Sequence, residues 1–406
     1  MNPKLNLLLL FILCVSVSCS SFPATPEIQP TVQETNTPTA AASTITAMPS
    51  ATLDPDSPEG CINLKPVDFN PTEINGLLVL YDTNSIIHLL DPKTNQFVDI
   101  DKDGNRIFNA TYILSPNKKY MLAGSPTSEY LILKTADKEI ITNVKISDST
   151  QARWLDNEHV SYLSLKQPEQ DLIVFNPFTG EQQTIHLDLP NAEIMEYSPS
   201  QRLVFYFIDP TLRRVIYNTK DGGVVLWNLE TNKEMTSLAP PAESSFFSFQ
   251  WSPDGTKFVT PFTDRFFAAN ELYMFSMDGK LEQLTHFSQK YSYASVELPA
   301  WSPDGQHIGF WLRIGDSNSD PRKLRQWLAV LDANTLETTI YCLADNPQPG
   351  EFSEIVWSPD GQQLIVSFGS HLKNNFKSIL VDLKRQTQAA FDFDAQNMAV
   401  YDWMAP

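Results

Sequence analysis

An all-β ring of repeated sheets is the fold this sequence predicts, and three observations carry the prediction. The string Trp-Ser-Pro-Asp-Gly occurs at Trp251–Gly255, Trp301–Gly305 and Trp357–Gly361, at intervals of 50 and 56 residues. Self-similarity at that period indicates stacked supersecondary units rather than one irregular core. Each copy leads into a strand-like run: Lys257-Phe258-Val259, His307-Ile308-Gly309-Phe310 and Gln363-Leu364-Ile365-Val366. Finally, the two ends of the chain look like complementary parts of a single sheet.

The repeated string is a turn. Ser suits the first position of a type I turn, Pro fixes φ at the second, and Gly can close it in the left-handed region. Such turns join antiparallel strands, so every copy is a hairpin with Trp ending its first strand. Weaker copies lie upstream at Leu114-Ser115-Pro116-Asn117 and Trp154-Leu155-Asp156-Asn157. One further copy is ambiguous: its turn is either Tyr197-Ser198-Pro199-Ser200 or, preferably, Phe207-Ile208-Asp209-Pro210. The preferred choice leaves Asp221-Gly222-Gly223 and Val224-Val225-Leu226-Trp227 as the next turn and strand. Third strands follow at 172–176, 272–275, 328–332 and 378–382, and a short fourth strand such as 281–285 completes the unit.

The ends set the count. Residues 76–81 and 86–91 read as second and third strands lacking a first, and Val400-Tyr401-Asp402-Trp403-Met404 reads as a first strand lacking the rest. A ring must close or leave two sheet edges exposed. The expectation is therefore an all-β, seven-bladed β-propeller of four-stranded antiparallel blades, closed by pairing the C-terminal strand with the first blade. Six or eight blades stay open because of the ambiguous copy. The repeated string followed by an aliphatic strand resembles the TolB-type propeller repeat, a relative of WD-repeat proteins, over roughly Leu77 to Trp403. That resemblance implies fold. It implies that the motif residues are structural rather than a site.

Residues 1–18 read as a secretory signal: Lys4 precedes a nearly all-apolar run from Leu5 to Val17, too short to span a membrane comfortably. Ser16-Val17-Ser18-Cys19 resembles a bacterial lipobox and makes Cys19 the candidate for lipidation. Residues 19–58 form a linker in which Pro, Thr and Ser supply about half the positions. Such a segment buries too little apolar surface to offset its ordering entropy, and fully extended it would reach on the order of 100 Å. The propeller is expected over 59–406. Two of the four cysteines, Cys61 and Cys342, remain for one disulfide in an oxidising compartment. The formal net charge of −19 argues against a nucleic-acid partner.

Candidate binding residues fall in loops that precede first strands: Phe246, Phe247, Tyr291, Tyr293, Glu297, Glu351 and Glu354. Aromatic side chains mixed with Ser and Glu suit a peptide or sugar. Asp99, Asp101, Asp103 and Asn105 resemble the front of a calcium loop, but Ala110 stands where a bidentate Glu is needed. The six histidines have no metal-binding spacing, and no G-x-S-x-G elbow occurs. The expectation is an exported, lipid-anchored monomer that binds a protein or peptide at a bacterial envelope, with no cofactor and no catalytic residues. A carbohydrate-binding surface protein or a channel-centred lyase or hydrolase is the alternative.

Overall fold

The computed structural model describes residues 58, 60–81, 87–98, 111–124, 129–134, 139–145, 152–164, 171–193, 195–198, 201–203, 206–238, 250–262, 270–315, 324, 326–345, 347, 352–369, 376–391 and 398–406. All of them belong to one unit spanning 54–406. The signal, Cys19, most of the linker and the calcium-like loop lie outside the described residues.

The chain folds as an all-β propeller. Six blades are built from four consecutive antiparallel strands each, here called I to VI. Blade I holds Thr111–Leu114, Tyr120–Gly124, Glu129–Lys134 and Glu139–Lys145; blade II holds Arg153–Trp154, Val160–Ser164, Asp171–Phe175 and Gln182–His186. Blade III comprises Tyr206–Ile208, Arg214–Asn218, Val224–Asn228 and Lys233–Leu238; blade IV comprises Gln250–Trp251, Lys257–Phe262, Glu271–Ser276 and Leu281–Gln283. Blade V runs through Tyr293–Trp301, His307–Gly315, Gln326–Asp332 and Thr338–Cys342, and blade VI through Phe352–Trp357, Gln363–Gly369, Lys377–Asp382 and Thr387–Phe391. A closure sheet joins the two ends of the chain: Ala399–Met404 pairs with Leu77–Tyr81, which is followed by Ile87–Asp91 and Gln96–Val98.

This corrects the expected ring of seven like four-stranded antiparallel blades. Six blades, not seven, are contiguous units, and the sheet beside them is a composite of both ends. Two of the six are five-stranded, because Ile62–Asn63 and Lys65–Pro66 add to the outer edges of blades V and VI in parallel. The physical reason is the strap running from Cys61 to the closure sheet. It crosses two outer edges that would otherwise expose unpaired backbone, and it satisfies them. The preferred turn of the ambiguous copy, Asp209-Pro210, turns blade III, while Met195–Ser198 and Gln201–Leu203 pair antiparallel as a separate two-stranded sheet.

The central strands of a blade are apolar on both faces because each blade is covered by two neighbours. Leu78 and Leu80 pack with Ile365, Leu380 and Trp403 toward blade VI, whereas Val79 between them packs with Leu114 and Met121 of blade I. Successive side chains point to opposite faces of a strand. The run Leu77-Leu78-Val79-Leu80-Tyr81 therefore serves two interfaces at once. Similar buried clusters join I to II, II to III, III to IV, IV to V and V to VI. The packing returns to its start, which is what closes the ring.

The repeated string forms the turn its chemistry predicts. In blade IV, Ser252 Oγ donates to Asp254 Oδ1 at 2.5 Å and accepts from Lys257 N at 2.9 Å. The same pair of contacts recurs at Ser302 and Ser358. Gly255 has φ +67°, and a Cβ there would lie 2.5 Å from Pro210 Cδ of blade III. Glycine is thus required by conformation and by the approach of the next turn. The motif tryptophans tie blades together: Trp154 Nε1 donates to Ile113 O at 3.0 Å, Trp301 Nε1 to Gln250 O at 3.3 Å and Trp357 Nε1 to Ala300 O at 2.9 Å. Cys61 and Cys342 are bonded, with Cα atoms 5.7 Å apart.

Candidate functional site

The first strand of each blade lies innermost, and these strands bring distant residues to the ring's channel. The described residues enclose a cavity of about 440 Å³ at the end of the channel where the Ser-Pro-Asp-Gly turns lie. Blades I to V and the closure sheet all contribute to its wall. Trp154, Phe207, Trp251 and Trp301 supply aromatic surface, Gln250 a neutral polar group, and Lys118, Arg153 and Asp402 the charges.

Local structure explains where these groups sit. Arg153, Gln250 and Asp402 each directly precede a tryptophan at or next to the end of an inner strand, namely Trp154, Trp251 and Trp403. The equivalent positions before Trp301 and Trp357 are Ala300 and Val356. Alternation sends neighbours along a strand in opposite directions, so Trp154 faces blade I while Arg153 faces blade III. Arg153 stacks its guanidinium over the Phe207 ring of the next blade, 4.2 Å from the centroid. Burial holds its pKa below the usual arginine value, an effect partly offset by Tyr206. Lys118, in the turn of blade I with φ +58°, donates to Trp357 O at 2.7 Å and pairs with Asp402 at 3.3 Å. It spans blade I, blade VI and the closure sheet.

The expected site residues separate into two groups. Tyr293 and Glu297 share the inner strand of blade V. Glu297 pairs with Arg313 at 3.1 Å and accepts from Gln326 Nε2 at 3.1 Å. Burial raises its pKa, and the Arg313 charge opposes that rise. A bulge follows directly, with Leu298 at φ +49°. Such bulges re-aim side chains. Tyr291 packs at the edge of the cluster joining blades IV and V. Glu354 stands apart, on the inner strand of blade VI, where burial first and then the Asp402 charge push its carboxyl up to about 7. Tyr401 is pushed upward by burial, Glu354 and Tyr81. Phe246, Phe247 and Glu351 lie outside the described residues, as do Asp99, Asp101, Asp103 and Asn105.

Among the described residues the histidines are not assembled into a cluster. His159 contacts Asp156 at 2.9 Å and His186 contacts Asp171 at 3.1 Å, each within its own blade. Among the described residues no group of three or more His, Cys, Asp or Glu could hold a metal ion. In the sequence the motif tryptophans read as packing residues, and the cavity they wall emerges only with the fold. The available signal was a polar residue directly before them at Arg153, Gln250 and Asp402.

No protein-family model matches the chain. Over 105 residues it is 34% identical to an uncharacterized peptidase, YuxL, of Bacillus subtilis (strain 168). That match covers 26% of this chain and only 13% of the relative's length. Among solved structures the chain is similar to TolB from Acinetobacter baumannii, with TM-score 0.40 and 16% identity over 79% of each chain. It is also similar to the β-propeller domain of Myceliophteria thermophila Cps50 (Swd1), with TM-score 0.46 and 10% identity over 81% of this chain and 97% of that one. At these identities the likeness is one of fold: TolB and WD-repeat propellers stand among the neighbours of this propeller.

Proposed function

We propose that this propeller is an exported peptide- or protein-binding module that recognises its partner at the turn end of its channel. The observation that carries the reading is the cavity of about 440 Å³, walled by Trp154, Phe207, Trp251 and Trp301 with few polar groups among them. Concave apolar surface with a small number of placed polar groups is the common form of a recognition site. Rigid aromatic rings give large contact area with little entropy to lose. Export is part of the same reading, and the Cys61–Cys342 bond supports it, because structural disulfides persist in oxidising compartments. Lipidation at Cys19 would hold the module at a membrane through its Pro/Thr/Ser-rich linker. We read the protein as a monomeric binder rather than an enzyme.

The test is selection of short peptides from a synthetic library on the full chain, alongside a glycan array. Pro303→Trp, at the second position of the blade V turn, would place a large ring across the mouth. Selected peptides should bind the unaltered chain and lose binding to Pro303→Trp. Glycan capture with no peptide capture would instead assign the cavity to sugars.

A further inference from the structure

Among the described residues that line the cavity, Arg153 is the charge without an opposite partner. Lys118 and Asp402 neutralise each other at 3.3 Å. Among the described residues Arg153 has no side-chain hydrogen bond and no ion pair; its guanidinium stacks on Phe207 and interacts electrostatically with Tyr206. A partly buried cation without a counter-charge gives up some of its hydration with no ion pair to offset the loss. The lining therefore carries a net charge of +1 from Lys118, Arg153 and Asp402, within a chain whose net charge is −19.

The stacking geometry matters as much as the charge. A guanidinium lying on a ring uses its face, and its N–H donors project from its edge. That edge matches a carboxylate, which accepts two parallel N–H groups. Phe207 fixes the plane in advance, so little side-chain entropy remains to be lost when an anion arrives. Tryptophan surface from three blades lies around the same space.

We propose that Arg153 makes this cavity a receptor for a peptide carboxylate, with the adjoining apolar side chain held against Trp154, Trp251 and Trp301. The inference rests on the peptide-binding reading above and narrows it to one chemistry. Two sources supply that chemistry, a chain's C-terminal carboxylate and an Asp or Glu side chain within the peptide.

The experiment takes peptides selected on the full chain and resynthesises each in three forms: free acid, C-terminal amide, and with internal Asp and Glu changed to Asn and Gln. Calorimetry follows against the unaltered chain, Arg153→Met and Arg153→Lys, with unfolding midpoints recorded for each. One neutralisation should weaken binding by about tenfold or more, the scale of a lost charge-assisted hydrogen bond. Whichever form weakens identifies the source. Arg153→Met should weaken the charged peptide by a similar factor and leave the neutralised one unchanged, and Arg153→Lys should restore part of the loss. Peptides that depend on the mouth closed by Pro303→Trp but bind Arg153→Met as well as the parent would overturn the carboxylate inference and leave the peptide reading standing. Peptides indifferent to Pro303→Trp would overturn both.

Discussion

The seam that closes the ring and the seam between blades III and IV are held in different ways. At the closure, Trp403 is buried and donates Nε1 to Asn75 O at 2.9 Å. Lys118 bridges to Trp357 O and Asp402, and Ala405 N donates to Lys118 O at 2.9 Å. Gly76 sits so close to Met404 that a Cβ would lie 1.9 Å from its carbonyl oxygen. Nearby, the strap and the Cys61–Cys342 bond pin the outer edges of blades V and VI. Between blades III and IV the contact is aromatic: Phe207 of blade III and Phe258 of blade IV lie 5.9 Å apart, with Trp251 of blade IV 5.1 Å from Phe258. Trp251 Nε1 is buried and has no hydrogen-bond partner among the described residues, unlike the motif tryptophans Trp154, Trp301 and Trp357. Polar and covalent ties concentrate where the chain's two ends meet, and the seam lacking the indole tie borders the cavity. Non-consecutive pieces need ties because nothing else holds them together when they separate. Consecutive blades are already linked by the chain.

The comparison can be broken most forcefully at Trp403. Trp403→Ala removes a fully buried indole from the closure and should cost about 3–5 kcal/mol, read from denaturant unfolding. Trp251→Ala, at a half-buried site, should cost clearly less. Equal losses would mean that closure is not where the ring is held. Cys61→Ser with Cys342→Ser comes next. Releasing a bond between residues 281 apart in sequence should cost about 2–4 kcal/mol, seen as a lower melting temperature matched by adding reductant to the parent.

Glu354 tests the closure through pH. Burial and Asp402 raise its folded pKa from an ordinary 4.5 to about 7. Between those values the folded chain keeps a proton that the unfolded chain has released. Stability from this group is therefore complete below pH 4.5 and falls as pH rises to about 7. Glu354→Gln should be close to neutral at pH 4 and stabilising at pH 8, by up to about 3 kcal/mol. A variant stabilised equally at both values would show that proton linkage is not involved. The smallest effect contrasts two indoles. Trp357→Phe loses a made hydrogen bond and should cost about 1 kcal/mol beyond lost packing, whereas Trp251→Phe removes an unpartnered N–H and should be neutral or mildly stabilising. Thermal melts of the two variants side by side read that difference.

Much of the ring was legible in the sequence, for reasons that can be named. Ser-Pro-Asp-Gly is local chemistry, and four residues suffice to specify it. The closing pair was legible because Leu77 to Tyr81 reads as a second strand without a first, and Val400 to Met404 as a first strand without the rest. The strap was not: Ile62–Asn63 and Lys65–Pro66 are two-residue strands with no periodicity, stabilised by edges that exist only after blades V and VI fold. The expectation of uniform four-stranded blades failed there for that reason. The cavity failed to show for another. Its wall draws on Ile113, Arg153, Phe207, Gln250, Trp301 and Asp402, brought together by rotation around the axis rather than by spacing along the chain. Glu297 and Glu354 were picked from loop composition, and the fold places them on neighbouring inner strands in separate charge environments.

The most direct measurement of the central claim is hydrogen–deuterium exchange on the full chain with and without a selected peptide. Binding at the turn end predicts new protection in 113–118, 153–155 and 250–253, with 291–297 unchanged. Protection confined to 291–297, or to no inner strand at all, would contradict it.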